Sequence, residues 1–242
     1  MGFKKTLASL VLIGAAALGG GEKTSAGTIS LKATADNSCS MYIGDGNGVS
    51  EMFASIVNYG GRYIWSVDSI SKENVAGGSY LYVFADSDYT GSDGLLIDLV
   101  TTSGHKVLGG SPYWSVAATG LGSRHGSSPS LSEMTSEIGR ANSGSNPSNG
   151  WKPVTPCPFT NEEGGIGRML YGDDTPVPVA DIDPNSRWMW YDCGRDPKSS
   201  SPFISFNHDE WLIFRIDTSV PEPSTLALLG VSALALSKRK KR

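Results

Sequence analysis

The chain has 242 residues and a formal net charge of −4, spread unevenly: residues 1–26 carry +2 and residues 221–242 carry +4, which leaves −10 on the stretch between them. An acidic middle of this kind repels phosphate backbones and anionic polysaccharides, which argues against nucleic acid as a partner and leaves calcium and neutral sugars compatible. The 194 positions from 27 to 220 are enough for one substantial core.

At the N-terminus, Lys4 and Lys5 precede an apolar stretch over 7–18, and Thr24, Ser25 and Ala26 supply small residues for cleavage. Residues 1–26 therefore read as a secretory signal peptide and stand outside the fold. The middle of the chain is strand-like almost throughout. Residues 28–35 alternate through Ile29, Leu31, Ala33 and Ala35, and further strands are predicted over 38–43, 62–67, 79–85, 95–101, 113–117, 187–191 and 210–216, most bounded by Gly, Asp, Asn or Pro. Eight short strands separated by turn signals predict an all-β fold, a two-sheet β-sandwich. Tyr80, Tyr82 and Phe84, or their alternates Leu81 and Val83, belong to its core with Leu96, Ile97, Leu99, Leu212 and Phe214. The inward face stays open where a strand is apolar on both sides, because a one-residue slip reverses every side chain.

Residues 121–150 break this rhythm: nineteen of the thirty are Gly, Ser, Pro or Asn, and only a weak helical turn over 132–138 is expected. With few apolar side chains to offset the entropy of ordering, the stretch reads as a mobile surface excursion. Residues 151–184 continue it, rich in Pro and Gly, so 121–186 reads as a loop-rich insertion within a domain spanning 27–220.

The chain ends in three parts: Pro221-Glu222-Pro223, an apolar tract, and the basic stop Lys238-Arg239-Lys240-Lys241-Arg242. As a helix, the fourteen residues 224–237 reach roughly 21 Å, against a hydrocarbon core of about 30 Å. Such a helix is marginal as a permanent span and suits transient insertion with the basic end in the cytoplasm. This ordered pattern over 221–242 resembles the PEP-CTERM sorting signal. The resemblance implies export, a short membrane segment, and an exosortase as partner in the envelope of a Gram-negative bacterium.

A second resemblance rests on Thr34-Ala35-Asp36-Asn37-Ser38-Cys39-Ser40-Met41-Tyr42-Ile43-Gly44, similar to the opening hairpin of galactose-binding-like jelly-roll modules. Trp65, the strands over 78–85 and 94–99, Tyr113-Trp114-Ser115-Val116 and the closing Trp211-Leu212-Ile213-Phe214-Arg215 follow in order, with Gly44-Asp45-Gly46-Asn47-Gly48 in place of the usual tight tip. It implies a jelly roll whose ligands sit on loops.

Four groups of residues bear on chemistry. Asp86, Asp88 and Asp93 place three carboxylates in one turn, a ligand type that calcium favours, although the spacing is not that of an EF-hand and solvated turn aspartates are the commoner alternative. A second acidic loop runs from Asp173 and Asp174 to Asp181 and Asp183. Trp151, in a polar stretch, is the candidate carbohydrate contact, whereas Trp65, Trp114, Trp188 and Trp211 fall in strand patterns and are expected to fill the core. Cys157 and Cys193 are placed for a disulfide, and Cys39, alternating with Met41 and Ile43, reads as a buried free thiol.

No Gly-x-Ser-x-Gly elbow, His-Glu-x-x-His or phosphate loop occurs, and His105, His125 and the cluster 206–210 make no recognisable triad. The expectation is a noncatalytic exported protein of the envelope or extracellular matrix, needing no cofactor and binding carbohydrate. The alternatives are a structural matrix or adhesion protein, and a glycosidase or lyase whose paired carboxylates only folding would reveal.

Overall fold

The computed structural model describes residues 26–36, 38–57, 67–86, 93–121, 127–171, 178–192, 203 and 211–220. The predicted signal peptide up to residue 25, residues 62–66 of the strand predicted over 62–67, Trp65 among them, and the whole tail from Pro221 lie outside them. The described strands are β1 (Gly27–Asp36), β2 (Ser38–Gly44), β3 (Val49–Val57), β4 (Asp68–Val75), β5 (Tyr80–Asp86), β6 (Gly94–Val100), β7 (Lys106–Leu108), β8 (Ser115–Ala118), β9 (Lys152–Pro153), β10 (Thr155–Pro156), β11 (Met189–Trp190) and β12 (Leu212–Asp217). Two helices join them, α1 (Leu131–Ser143) and α2 (Gly165–Tyr171).

The strands form two six-stranded antiparallel sheets. The first runs β10-β11-β6-β1-β4, with β7 also paired to β6, and the second runs β3-β2-β5-β12-β8-β9. The period-2 pattern of β1 explains the packing: Ile29, Leu31, Ala33 and Ala35 enter the core between the sheets, where they meet Cys39, Met41, Leu81, Val83, Leu212 and Phe214. The two-sheet sandwich predicted from strand spacing is therefore present.

The ambiguity over β5 resolves because both of its faces are buried. Leu81, Val83 and Ala85 join the inter-sheet core, while Tyr82 and Phe84 point the other way into a second cluster with Tyr42, Ile213, Trp211, Met134 and Ile138. The second cluster lies beneath α1, which roofs the outer face of the β2-β5-β12 strands.

Helix α1 is where the reading of 121–150 as a mobile excursion fails. Its buried residues Met134, Glu137, Ile138 and Ala141 recur at helical spacing. Ser130 and Glu133 form a reciprocal capping box, and Gly144 ends the helix at φ 72°, a conformation that favours glycine. Beyond it, Asn146 donates to the Ala118 carbonyl (2.9 Å) and accepts from the Gly150 N–H (2.6 Å), which folds the Ser- and Asn-rich stretch onto the sheet. Three well-spaced apolar residues, Met134, Ile138 and Ala141, and a polar network suffice to order a segment whose overall composition suggests disorder. The 121–186 insertion is likewise not merely loop: β9 extends one sheet and β10 the other.

The opening hairpin expected from the 34–44 stretch turns at 44–48 as expected, but its first strand begins at Ser38 and not at Thr34. β1 ends at Asp36 in one sheet and β2 begins at Ser38 in the other, so the chain crosses the sandwich there. The hairpin is β2–β3, and residues 45–48 form its tip, with the Asp45 N–H donating to the Gly48 carbonyl (3.0 Å). A Cβ on Gly44 would sit 1.9 Å from that carbonyl oxygen, so glycine is required.

Among the described residues no helix is long and apolar enough to cross a membrane. Cys39 is a buried free thiol, as expected; burial, with a smaller contribution from the Asp68 charge, pushes its pKa up to about 12.

Replacing Ile138 by Ala should lower the free energy of unfolding by about 2–4 kcal/mol, because the side chain is fully buried between α1 and the sheet. Leu131→Ala, on an exposed position of the same helix, should change it by less than about 0.5 kcal/mol. Urea denaturation of both variants tests the roof, and equal small effects would show that α1 is not part of the cooperative core.

Candidate functional site

Trp151 sits where α1, the Asn146 turn and the second sheet converge. The residue leads directly into β9, whose Lys152 pairs with Val116 of β8. Its indole N–H donates to Asn142 Oδ1 (2.9 Å) in the last turn of α1, and Asn142 Nδ2 donates to the Gly46 carbonyl (2.8 Å) at the β2–β3 tip. The Arg215 guanidinium of β12 lies 3.8 Å from the Trp151 ring centroid and 5.3 Å from that of Tyr80. It also donates to Asn142 Oδ1 (3.4 Å). Tyr82 completes the group, 6.2 Å from Trp151 between ring centroids, with its hydroxyl donating to the Asp45 carbonyl (2.6 Å). Burial pushes the Tyr82 phenol up to about 12 despite the opposing Arg215 charge, so it is a neutral donor at physiological pH.

Trp151 is half-buried, not a free-standing platform, and Tyr80 and Arg215 beside it are also only partly covered. Aromatic faces next to a guanidinium rich in donors can meet both the C–H faces and the hydroxyls of a polar ligand. The expected core tryptophans are buried where described: Trp114, Trp188 and Trp211, joined by Trp190.

Of the three loop carboxylates, the structure places two. Asp86 ends β5, opposite Ser38, and Asp93 immediately precedes β6 with its N–H donating to the Phe203 carbonyl (3.4 Å). Both are buried, 4% and 1% exposed, instead of solvated as turn aspartates usually are. Asp88 lies outside the described residues, among which no group of three or more His, Cys, Asp or Glu assembles.

Cys157 follows β10 and is a free, buried thiol, with Sγ 3.4 Å from Met169 Sδ; burial raises its pKa. Cys193, its expected disulfide partner, lies outside the described residues, as do His125 and the 206–210 cluster. His105 stacks edge-on against Tyr113 at 6.4 Å.

One polar centre escaped sequence reasoning. Asp98, buried in the otherwise apolar β6, accepts from the Ser186 hydroxyl and from the Asp183 N–H (2.7 Å). Lys106 Nζ bridges Asp98 (3.5 Å) and Asp183 (2.5 Å). A single charge amid Gly94-Leu95-Leu96-Ile97-Asp98-Leu99-Val100 was the available signal, since a buried carboxylate demands partners. Partial burial alone would lower the Lys106 pKa, but the Asp183 hydrogen bond and the charges of Asp98 and Asp183 outweigh it and raise it. The Lys106 hydrogen bond, helped by the Asn185 N–H, holds Asp183 below the usual carboxylate range. A low pKa suits an ion pair that fixes the 183–186 segment on the sheet, not a general acid.

Comparison with known proteins adds one finding. Residues 219–242 match the PEP-CTERM protein-sorting motif. No curated protein and no solved structure matches the chain. The motif makes this an exported, exosortase-sorted protein that associates with the membrane of the cell envelope. It begins where the folded domain ends: Thr218 is buried, its N–H donates to the Ser79 carbonyl (2.9 Å), and the Ser103 hydroxyl donates to the Val220 carbonyl (3.2 Å).

Two measurements test this geometry. Asp183→Asn should destabilise the protein at pH 7 by up to about 1 kcal/mol, solvent screening keeping the effect small. The contribution of the lowered Asp183 is fully present above the unfolded carboxylate value of about 3.9 and is lost as pH falls through its folded pKa. That of the raised Lys106 is present below about 10.4 and is lost as pH rises through its folded value. The gap between wild type and variant should therefore close at both extremes, and a gap independent of pH would refute the ion-pair account. Second, replacing Pro221, Glu222 and Pro223 by Ala in a host with an exosortase should leave the chain at full length in the membrane fraction, while the wild type is shortened. Equal processing on an immunoblot would show that the tripeptide does not direct sorting.

Proposed function

We propose that the domain over 27–220 is a noncatalytic carbohydrate-binding protein displayed on the outer surface or in the extracellular matrix of a Gram-negative bacterium, with envelope polysaccharide as its partner. The observation that carries this reading is the Tyr80–Arg215–Trp151–Asn142 arrangement. Two partly covered aromatic rings flank a guanidinium, and the amide that orients both Trp151 and Arg215 is anchored on α1. Sugar rings pair apolar C–H faces with dense hydroxyls, and this surface offers a complement to each. The resemblance to galactose-binding-like jelly rolls points to the same ligand class.

A structural matrix or adhesion role is the second reading. It is favoured by the burial of Trp114, Trp188, Trp190 and Trp211, which spends most of the tryptophan surface on packing instead of ligand contact.

A glycan array probed with the full chain in detergent micelles separates the two. Wild type should retain a neutral glycan, and Trp151→Ala or Arg215→Ala should weaken that retention at least tenfold. Retention of no glycan by the folded wild type would favour the structural role.

A further inference from the structure

The sandwich carries a second polar concavity on the side opposite α1. On the outer face of the β4-β1-β6 strands lies a groove of about 440 Å³. The strand registers place its floor. Ser30 and Lys32 alternate with the core residues Ile29, Leu31 and Ala33, so they face outward. Lys32 lies opposite Asp98 on β6 and Ser69 on β4, and Ser30 lies opposite Val100 and Ser71.

The far wall is Asp181, held by a segment fixed at both ends. Asn161, buried, donates to the Val179 carbonyl (2.9 Å) and accepts from the Val179 N–H (2.8 Å), and the Asp183 N–H is bound by Asp98 (2.7 Å). Between these anchors Asp181 adopts φ 66°, a left-handed conformation that aspartate tolerates better than most residues, and its side chain lines the groove.

The ionisable groups here fall into two kinds. Asp98 and Lys106 are occupied by each other and by Asp183 and Ser186. By contrast, among the described residues the side chains of Ser30, Lys32, Ser69 and Asp181 make no hydrogen bond or ion pair. An ammonium, a carboxylate and two hydroxyls thus line one concavity without protein partners, beside the apolar surface of Val100, which faces outward opposite Ser30. Its two lysines and two aspartates cancel in charge. The volume lies within the range of small-ligand sites.

We propose that this groove binds a neutral saccharide. Sugar hydroxyls donate and accept at once, so they satisfy Asp181, Lys32 and both serines together, while a C–H face covers Val100. An acidic sugar would meet Asp181 and a domain carrying −10. The inference rests on the carbohydrate reading above and adds a second site. The Trp151 site lies on the outer side of one sheet and the groove on the outer side of the other, with the inter-sheet core between them. One chain would then bridge two glycan strands, and avidity would exceed either single affinity.

Isothermal titration calorimetry of the full chain in detergent micelles tests this with four probes: galactotetraose, cellotetraose, mannotetraose and tetragalacturonate. At least one neutral probe should bind with two molecules per chain. The double variant Lys32→Gln, Asp181→Asn should weaken one of these at least tenfold with an unchanged thermal midpoint, because neither side chain has a protein partner; Trp151→Ala should remove the other. The groove assignment is overturned if the double variant binds as the wild type does, if tetragalacturonate binds more tightly than every neutral probe, or if no probe binds. Loss of all binding in Trp151→Ala, with none in the double variant, overturns the groove and leaves the Trp151 reading standing. Loss confined to the double variant upholds the groove and rejects the Trp151 site.

Discussion

The structure depends on the placement of its last strand. β12 lies in the middle of the second sheet, with Phe214 opposite Val83 on β5 and Val116 on β8. Without it that sheet divides into a β3-β2-β5 part and a β8-β9 part with no ladder between them. Leu212, Phe214 and Ile216 enter the inter-sheet core and Ile213 enters the cluster under α1, so one six-residue strand ties both apolar clusters together. The sheet closes only after nearly the whole domain has been made, and its pairing carries the loop-closure cost of long-range contacts. Since the sorting motif starts at residue 219, directly after this strand, the tail hangs from the element that completes the fold.

The two sheets solve the burial of their outer faces differently. On the second sheet Tyr42, Tyr82, Phe84 and Ile213 make the outer face apolar, and α1 covers it with Met134 and Ile138. On the first sheet the outer face of β6 is apolar only at one end, where Leu96 is buried and Gly94 packs against Trp188 and Ile166; toward the other end the outer positions are Ser30, Lys32, Asp98 and Val100. Charge within that face is managed locally. Asp98, which alone would be costly to bury, is satisfied by Ser186, the Asp183 N–H and Lys106, and the same bonds fasten the 183–186 segment.

Sequence periodicity made the core strands legible because β1, β2, β5, β6 and β12 each bury at least one complete alternate face. It missed β4, whose Asp68-Ser69-Ile70-Ser71-Lys72-Glu73-Asn74-Val75 buries only Val75, because an edge strand held by backbone pairing to β1 needs no apolar face. It missed β3 for the same reason: Ile56 alone is buried there. Composition misjudged residues 127–150, where order comes from a capping box and the Asn146 bonds, features that depend on position and not on abundance. At the candidate site Trp151 was legible as a tryptophan in a polar stretch. Arg215 and Tyr80 were not, because only the β5–β12 register and the fold of the Asn146 turn bring them to it.

Strand direction gives the domain two unlike ends. β5 begins at Tyr80, beside the Ser79 carbonyl that anchors Thr218, and finishes at Asp86, six steps or about 20 Å away. Tyr80 therefore lies at the end from which the tail departs, while the buried carboxylates Asp86 and Asp93 lie at the other. Arg215, paired with Tyr82, carries Trp151 toward the departing end as well. In sequence only the tripeptide Pro221-Glu222-Pro223 separates Val220 from the apolar tract, so the sorting motif adjoins the end of the sandwich that carries Tyr80, Arg215 and Trp151, and not the end that buries Asp86 and Asp93.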